Sequence, residues 1–318
     1  MNNTTSEISV IIPVYNEEAG VPELYKRLTA VLGEITDNYE LIFVNDGSKD
    51  NTLAGLIGIA NTDKHVKYIS FSRNFGHQVA ISSGLDFAKG NAIVIIDGDL
   101  QDPPELISDL YKKYKEGFKV VYAKRKSRKG ETLYKKTTAS LCYRLLKNIT
   151  SIDIPLDTGD FRLIDKKVAD QLKHMPEKSK FLRGQIAWLG FKQTSVEFER
   201  DARKYGNSDF TTKKMFRFAL DGITGFSDFP LRLATWLGLI VSTFAFIVII
   251  YALYSKFMYA VVVSGWTSVI VSTMFLGGIQ LLTIGIIGEY INRINTETRN
   301  RPLYIIEDTN AGEADKQE

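Results

Sequence analysis

Two aspartates separated by one glycine, Asp97-Gly98-Asp99, follow an uninterrupted apolar run from Ala92 to Ile96. In extended backbone, residues two apart point to the same side, so both carboxylates can face one cation. Carboxylate oxygens are hard ligands that suit Mg²⁺ or Mn²⁺ bridged to a diphosphate. An isolated pair of this kind fits a solvated turn equally well. Its position directly after an apolar strand favours the metal site.

Polar residues also follow two other apolar runs. Asp46 lies two positions after the run 41–44, where a carboxylate can accept hydrogen bonds from the N–H edge of a nucleobase. The same segment fits a turn with a helix cap made by Ser48 or Asp50, but a cap leaves Asp46 unexplained. Tyr15, after the first run, is either a partly buried aromatic or a ring packed against that base.

A second pair of carboxylates, Asp157 and Asp160, surrounds Thr158-Gly159 ahead of another strand-like run. The local pattern is that of a turn in which one aspartate caps backbone N–H groups, and a functional role is equally open. Phe181-Leu182-Arg183-Gly184 is typical of helix packing. His65, His77 and His174 lack the spacing of a metal site or a catalytic triad, so we expect them to be structural.

Basic residues are concentrated between positions 124 and 136, where Glu131 is the only acid. Such a run is either a solvated face or a surface that meets lipid headgroups or an acceptor phosphate. The run contains Lys124, Arg125, Lys126, Arg128, Lys129, Lys135 and Lys136, and Arg200, Arg203 and Lys204 form a second basic group.

The overall composition excludes several classes of protein. Forty basic against 37 acidic residues give a net charge of only +3, which indicates no nucleic-acid partner. Cys142 is the single cysteine, so neither an internal disulfide nor a cysteine zinc site can form.

Short apolar runs alternate with amphipathic stretches over the first 230 residues, a pattern typical of a doubly wound α/β fold with a mostly parallel sheet. The run 92–96 shows no alternation of polar residues, which predicts a central strand covered on both faces. Ligands of such sheets bind beyond the carboxyl ends of the strands. Pro103 and Pro104 predict the start of a helix that ends near Glu116. The predicted strands are 8–14, 41–44, 66–71, 92–96 and 120–123.

The segment from Leu233 to Gly288 contains one charged residue, Lys256. It is long enough for two membrane passes, at about 233–254 and 265–288, although a buried helical pair in a soluble core is the alternative. Arginines flank both outer ends of the segment, so the positive-inside rule places both ends in the cytoplasm. We therefore predict a catalytic domain at 1–209, an amphipathic juxtamembrane helix at 210–232, two transmembrane helices at 233–288 and a cytosolic tail at 289–318. We expect disorder after Asp308.

Taken together, these motifs resemble those of family 2 glycosyltransferases with the GT-A fold. The match is with the branch that acts on polyisoprenyl phosphates, which includes dolichol-phosphate mannosyl synthases and bactoprenol glucosyl transferases, and two membrane passes favour the bactoprenol type. The resemblance spans about residues 8 to 301. It is carried by residues 10–18, 45–48, 73–76, 97–105 and 157–161.

The resemblance implies a role for each matching residue. Pro13, Tyr15, Glu17, Asp46 and Arg73 are expected to bind the nucleotide, and Asp97, Asp99 and Gln101 the metal and the diphosphate. Asp160 takes the position of the acid/base carboxylate, with Asp157 as its rival. The acceptor phosphate is expected to meet Arg125, and with it the basic residues Arg128, Lys135, Arg200 and Arg203.

The implied reaction is the transfer of one sugar, glucose from UDP-glucose, to undecaprenyl phosphate, with Mg²⁺ or Mn²⁺ as cofactor. A phosphate monoester is mostly a dianion at neutral pH and needs little deprotonation before it attacks. Direct displacement from the face opposite the leaving diphosphate inverts the α linkage of the donor to β. The Q-x-x-R-W motif of processive synthases is missing, which favours single transfer. A mannosyl or aminoarabinosyl transferase to the same lipid class stays open. We expect a homo-oligomer through the membrane region, in a bacterial inner membrane, with the catalytic domain in the cytoplasm.

Overall fold

The computed structural model of the chain describes residues 6–126, 158–199, 229–259 and 265–312. These residues divide into two compact units. Residues 6–126, 158–199 and 301–312 form the first unit, and residues 229–259 and 265–300 form the second.

An eight-stranded mixed sheet forms the centre of the first unit, in the order β7-β5-β6-β4-β1-β2-β3-β8. The pairs β1–β2, β1–β4, β2–β3 and β5–β7 are parallel, whereas β6 runs antiparallel to β4 and β5, and β8 runs antiparallel to β3. The strands are β1 (Ile8–Val14), β2 (Tyr39–Asn45), β3 (Val66–Phe71), β4 (Ala92–Ile95), β5 (Val120–Arg125), β6 (Thr158–Asp165), β7 (Gln193–Phe198) and β8 (Ile306–Thr309).

Helices cover both faces of this sheet, and two hydrophobic cores lie between the sheet and the helices. Every residue of β1 and β4 is buried, because their side chains alternate between the two covered faces. The helices are α1 (Val21–Gly33), α2 (Thr52–Ala60), α3 (His77–Phe87), α4 (Ile107–Lys115), α5 (Lys166–Lys173) and α6 (Leu182–Trp188), with a 3₁₀ turn at Pro104–Leu106 before α4.

The five predicted strands all form, and the predicted central strand lies between β6 and β1. The helix predicted from Pro103 and Pro104 also forms, as the 3₁₀ turn followed by α4.

The end of the chain returns to the sheet. Strand β8 pairs with β3 and forms the edge of the sheet, and the Tyr304 ring stacks on Phe71 with 5.2 Å between centroids. Oδ1 of Asn310 accepts a hydrogen bond of 2.7 Å from the backbone N–H of Tyr68. The expected disorder after Asp308 is therefore wrong for residues 309 to 312. The segment is polar, but its order comes from hydrogen bonds to the open edge of β3, which composition does not reveal.

The second unit is a pair of long helices, α7 (Phe229–Tyr259) and α8 (Trp266–Thr298), which pack against each other. Phe229–Val248 and Ser272–Thr298 are long and apolar enough to cross a membrane, and only 6% and 0% of these windows are buried. Their large apolar side chains are exposed, which disfavours the alternative of a helical pair inside a soluble core. Helix α8 continues to Thr298, so it includes residues 289–298, which were predicted to belong to the tail.

Candidate active site

The antiparallel pairing of β4 and β6 brings Asp97, which follows β4, close to Asp160 on β6. Ile95 lies opposite Arg162 in this pairing. The chain that continues past Ile95 towards Asp97 therefore runs beside the residues that precede Arg162, which include Asp160. Asp160 is the third residue of β6 and lies in a strand rather than in the turn that its local pattern fits.

An imidazole lies between these two carboxylates. His77 is the first residue of α3, and its Nε2 is 3.3 Å from Oδ1 of Asp97 and 3.2 Å from Oδ2 of Asp160. Burial lowers the pKa of His77, but the two carboxylates outweigh burial and raise it to about 9. His77 had been expected to be structural. The structure instead places it between two predicted site residues.

Asp160 is surrounded by hydrogen-bond donors. Nε of Arg183 lies 2.8 Å from Oδ1, and Nε2 of Gln78 lies 3.0 Å from Oδ2, which His77 also approaches. Burial raises the pKa of Asp160, but Arg183 and His77 more than offset burial and hold it well below the usual range. Asp160 is therefore an ionised carboxylate and a weak base.

A second guanidinium, that of Arg162, lies on the same strand. Its Nε and Nη2 donate to the backbone carbonyls of Asp160 and Gly159, at 3.2 and 2.9 Å. Burial lowers the pKa of Arg162 to about 10, although the Asp160 carboxylate opposes this effect. Arg162 thus stabilises the backbone at the start of β6.

The Asp97-Gly98-Asp99 loop has the features of a cation site. Oδ1 of Asp97 is buried and accepts no well-aligned hydrogen bond from the described residues. Burial raises the pKa of Asp97, and the carboxylates of Asp160 and Asp99 raise it further, against the opposing effect of His77. A divalent cation would relieve both the burial cost and the repulsion, so these residues fit the predicted metal. One ligand atom each from His77, Asp97 and Asp160 lies within 4.8 Å of the others, but Asp160 already accepts three hydrogen bonds.

The backbone of this loop is tightly constrained. A Cβ at Gly98 would lie 2.7 Å from Cγ1 of Val14 and 3.0 Å from the carbonyl oxygen of Pro13, so only glycine fits between the aspartates. Leu100 has φ of 59° and is buried, a left-handed conformation that costs ~1–2 kcal/mol for a residue with a side chain. The N–H of Gln101 donates to Oδ1 of Asp99 at 3.1 Å. The loop is thereby held in one conformation beside the end of β1.

Asp46 braces the loop after β3. Its carboxylate accepts hydrogen bonds from the N–H groups of Phe75, at 2.6 Å, and Gly76, at 3.0 Å. Burial raises the pKa of Asp46, and these hydrogen bonds oppose the rise. Gly47 has φ of 67°, and a Cβ there would lie 2.4 Å from the backbone carbon of Arg73. If Asp46 also binds a nucleobase as predicted, its carboxylate would accept hydrogen bonds from both the base and this loop.

The other predicted nucleotide residues lie at the same edge of the sheet. The Tyr15 side chain is 36% exposed, and the exposed Arg73 guanidinium lies 4.0 Å from the centre of the Phe75 ring. Pro13 pairs with Val44, whereas Glu17 is buried and donates its N–H to Oγ1 of Thr52. These positions leave Tyr15 and Arg73 accessible to a ligand.

The two candidate caps of α2 have different roles. Asp50 accepts from the N–H of Thr52, the first residue of the helix, at 3.1 Å. Ser48 instead accepts from the N–H of Asn16 at 2.9 Å and so joins the loops after β1 and β2.

The predicted acceptor-phosphate residues lie mostly beyond the described residues. Asp157, the rival of Asp160, also lies outside them, as do Arg128, Lys135, Arg200 and Arg203. Arg125 is the last residue of β5, and the structure describes only the backbone of this residue. The roles of these residues stay predictions.

Sequence reasoning missed three residues of this cluster, His77, Gln78 and Arg183. His77 and Gln78 directly follow the polar group 73–76 at the end of β3, and this position was a usable signal. Arg183 is remote in sequence and lies in a segment assigned to helix packing. No local pattern pointed to its contact with Asp160.

Comparison with known proteins identifies the family of this chain. Residues 9–173 match the model of Glycosyl transferase family 2. The chain is 52% identical over 301 residues to YkcC of Bacillus subtilis, an uncharacterized glycosyltransferase, covering 95% of this chain and 93% of that protein. It is 42% identical over 300 residues to the prophage bactoprenol glucosyl transferase homolog of Escherichia coli, covering 94% and 98%. Glucosyl-3-phosphoglycerate synthase from Mycobacterium tuberculosis is a structural neighbour with 18% identity and a TM-score of 0.46, covering 69% of this chain and 78% of that one.

The predicted fold of the GT-A type, a mostly parallel sheet followed by two long apolar helices, is confirmed. The family match covers half of the chain, and the relatives align over nearly its full length. This chain belongs to glycosyl transferase family 2 and is a glycosyltransferase.

Proposed function

We propose that this enzyme transfers one glucose from UDP-glucose to undecaprenyl phosphate with inversion, giving a β-linked lipid phosphosugar. The observation that carries the proposal is the ionised, hydrogen-bonded Asp160 beside the cation loop at Asp97. A sugar hydroxyl acceptor requires a base, whereas a phosphate dianion does not. Relatives that are 40–42% identical and named bactoprenol glucosyl transferases support the choice of lipid and sugar.

The division of roles follows from the positions of the residues. Tyr15 and Arg73 are accessible at the ends of β1 and β3 and would bind the nucleotide. Asp97 and Asp99 would hold Mg²⁺ or Mn²⁺, which supplies charge neutralisation for the departing diphosphate. Asp160 would orient the groups that meet the acceptor, because three side chains already occupy its oxygens.

The helical pair would place the enzyme where its lipid acceptor is found. Helices α7 and α8 have the length and composition of membrane spans. Arg232 precedes the apolar segment, and Arg293, Arg299 and Arg301 follow it, so both ends would face the cytoplasm of a bacterial inner membrane. A homo-oligomer through this region is part of the proposal.

A donor screen tests the reaction. Membranes that contain the full chain would be supplied with radiolabelled UDP-glucose, UDP-galactose or GDP-mannose, and label would be followed into the lipid extract. We expect label from UDP-glucose in a lipid that requires added undecaprenyl phosphate. Label from GDP-mannose alone would transfer the proposal to the mannosyl alternative. The absence of label from every donor would reject it.

Metal removal is the second test. We expect EDTA to abolish transfer, and Mg²⁺ or Mn²⁺ to restore it. Asp99→Asn should lower turnover by ~100-fold or more, the scale of losing a principal electrostatic group. Asp109→Asn is the matched control, because Asp109 is an exposed carboxylate on α4 paired with Lys112. Full activity in EDTA would contradict the metal assignment.

A further inference from the structure

We propose that Arg183 binds the phosphate of the acceptor and that Asp160 is the positioning residue that aims its guanidinium. This inference rests on the proposed function. It adds a residue that lies in sequence between the two basic groups, 124–136 and 200–204, from which the acceptor contacts were predicted.

The two arginines near Asp160 have different surroundings. The Arg162 side chain is 6% exposed, its Nε and Nη2 donate to backbone carbonyls, and Nη2 lies 3.8 Å from Oδ1 of Asp160. The Arg183 side chain is 27% exposed, and its Nε lies closer to the same oxygen, at 2.8 Å. Of these two guanidiniums, only that of Arg183 combines a fixed position with access to a ligand.

Hydrogen bonds fix Arg183 at its side chain and at the backbone of the residue before it. Gln78 donates from Nε2 to Asp160 and accepts at Oε1 from the backbone N–H of Leu182, at 3.2 Å. The Gln78 amide thus joins Asp160 to the residue before Arg183, while Asp160 holds the Arg183 side chain through Nε. A guanidinium fixed in this way loses little conformational entropy when it binds a phosphate.

The order of the strands favours the acceptor over the donor. At the edge where β4, β1, β2 and β3 end, the neighbouring strands follow in the order β6, β4, β1, β2 and β3. The antiparallel β6 begins at this edge. Asp160 belongs to β6, the cation loop follows β4, and Tyr15, Asp46 and Arg73 follow β1, β2 and β3. A donor with its nucleoside near β1 to β3 and its diphosphate at β4 directs its sugar towards β6. An acceptor that attacks from beyond the sugar then meets Asp160 and Arg183.

The chemistry of a phosphate monoester fits a guanidinium. Arginine carries five N–H donors in a planar fork that matches two phosphate oxygens, and such charge-assisted pairs are stronger than neutral hydrogen bonds. Arg183 contacts Asp160 at 2.8 Å, and His77 lies between Asp160 and Asp97, so the guanidinium belongs to the same cluster as the predicted metal ligand Asp97.

Steady-state kinetics of the full chain in detergent with Mn²⁺ test the assignment. We expect Arg183→Gln to raise KM for undecaprenyl phosphate by ~10–100-fold, the loss of a charge-assisted pair. The dissociation constant of UDP with Mn²⁺, measured by calorimetry, should change by less than ~3-fold and shows that the variant is folded. Arg183→Lys keeps the charge but loses the planar arrangement of N–H donors, so its KM should lie between those of the wild type and Arg183→Gln. Lys173→Gln, a basic residue of α5 outside the cluster, is the control and should match the wild type.

The outcomes separate this inference from the proposed function. If the wild type forms no lipid-linked sugar, the proposed function fails. If the wild type is active and Arg183→Gln keeps the wild-type KM for the lipid, Arg183 does not bind the acceptor. An equal loss of UDP affinity would instead assign Arg183 to the donor.

A double-mutant cycle tests the positioning role of Asp160. We expect Asp160→Asn to raise KM for the lipid phosphate, and Asp160→Asn with Arg183→Gln to raise it no further than Arg183→Gln alone. Additive effects would show that Asp160 acts independently of Arg183.

Discussion

At the scale of single residues, the candidate site depends on which carboxylates are ionised. Asp160 has a depressed pKa because Arg183 and His77 outweigh the effect of burial. A carboxyl group whose pKa is depressed by folding stabilises the fold at pH values above its pKa in the unfolded chain, ~3.9. This contribution is lost as the pH falls through the lower pKa of the folded protein. Asp160 therefore stays ionised throughout the neutral range and gives no limb to a pH profile there.

This charge state predicts the behaviour of Asp160→Asn. We expect the variant to keep UDP-glucose binding and lose most turnover, because it loses the orienting charge rather than a base. Raising the pH should rescue nothing beyond the titration of the acceptor phosphate near pH ~6. The measurement is the pH dependence of kcat and kcat/KM for both proteins, with Asp157→Asn as the test of the rival residue. A basic limb in the wild type that disappears only in Asp160→Asn would establish general-base catalysis instead.

At the scale of elements, the returning strand β8 pairs with β3, the strand that precedes the loop at Arg73. The N–H of Ser72 donates to the carbonyl oxygen of Ile305 at 3.1 Å, one residue before Arg73. The Tyr304 hydroxyl donates to Oδ2 of Asp86 on α3 at 2.8 Å. Residues after α8 thus contact both β3 and the helix that begins with His77.

Substitution of Tyr304 separates the hydroxyl contact from the ring contact. We expect Tyr304→Phe to lower the free energy of unfolding by about 1 kcal/mol, through the lost hydrogen bond to Asp86. Tyr304→Ala should cost about 3 kcal/mol, because the stacking on Phe71 is also lost. Glu307→Gln, at an exposed position of β8, should stay within about 0.5 kcal/mol of the wild type. Denaturant unfolding in detergent measures all three. Equal stability of Tyr304→Ala and the wild type would show that the segment does not stabilise the sheet.

At the scale of the whole molecule, a soluble-type α/β unit and an apolar helical pair belong to one chain. The sheet unit receives residues from both sides of the helical pair, since residues 6–126 and 158–199 precede it and 301–312 follow it. If α7 and α8 cross the membrane as an antiparallel hairpin, both flanks emerge on one side.

Topology can be measured by cysteine labelling. In a Cys142→Ser background, we expect a cysteine introduced at Ser264 to react with an impermeant reagent only from the periplasmic side. A cysteine at Asn310 should react only from the cytoplasm. Labelling of position 264 from the cytoplasmic side alone would contradict the proposed orientation.

The sequence by itself determined the class of fold and predicted where the donor would bind along the sheet. Uninterrupted apolar runs require strands covered on both faces, and parallel strands gather their carboxyl ends at one edge. This reasoning was sufficient to predict that Asp97, Asp99, Asp46 and Tyr15 lie at one edge of the sheet, whereas their roles stay predictions. It also located the apolar helical pair, because length and absence of charge are properties of the sequence alone.

Only the tertiary structure decided which groups surround Asp160. The antiparallel insertion of β6 beside β4 brings Asp160 to Asp97, which lies 63 positions earlier. Packing of α3 and α6 then adds His77, Gln78 and Arg183, and the local sequence around each of them fits an ordinary helix start. The order of residues 309 to 312 likewise depends on the open edge of β3. These contacts join segments that are remote in the chain, so no local pattern encodes them, and the pKa of Asp160 is set by partners that only the fold supplies.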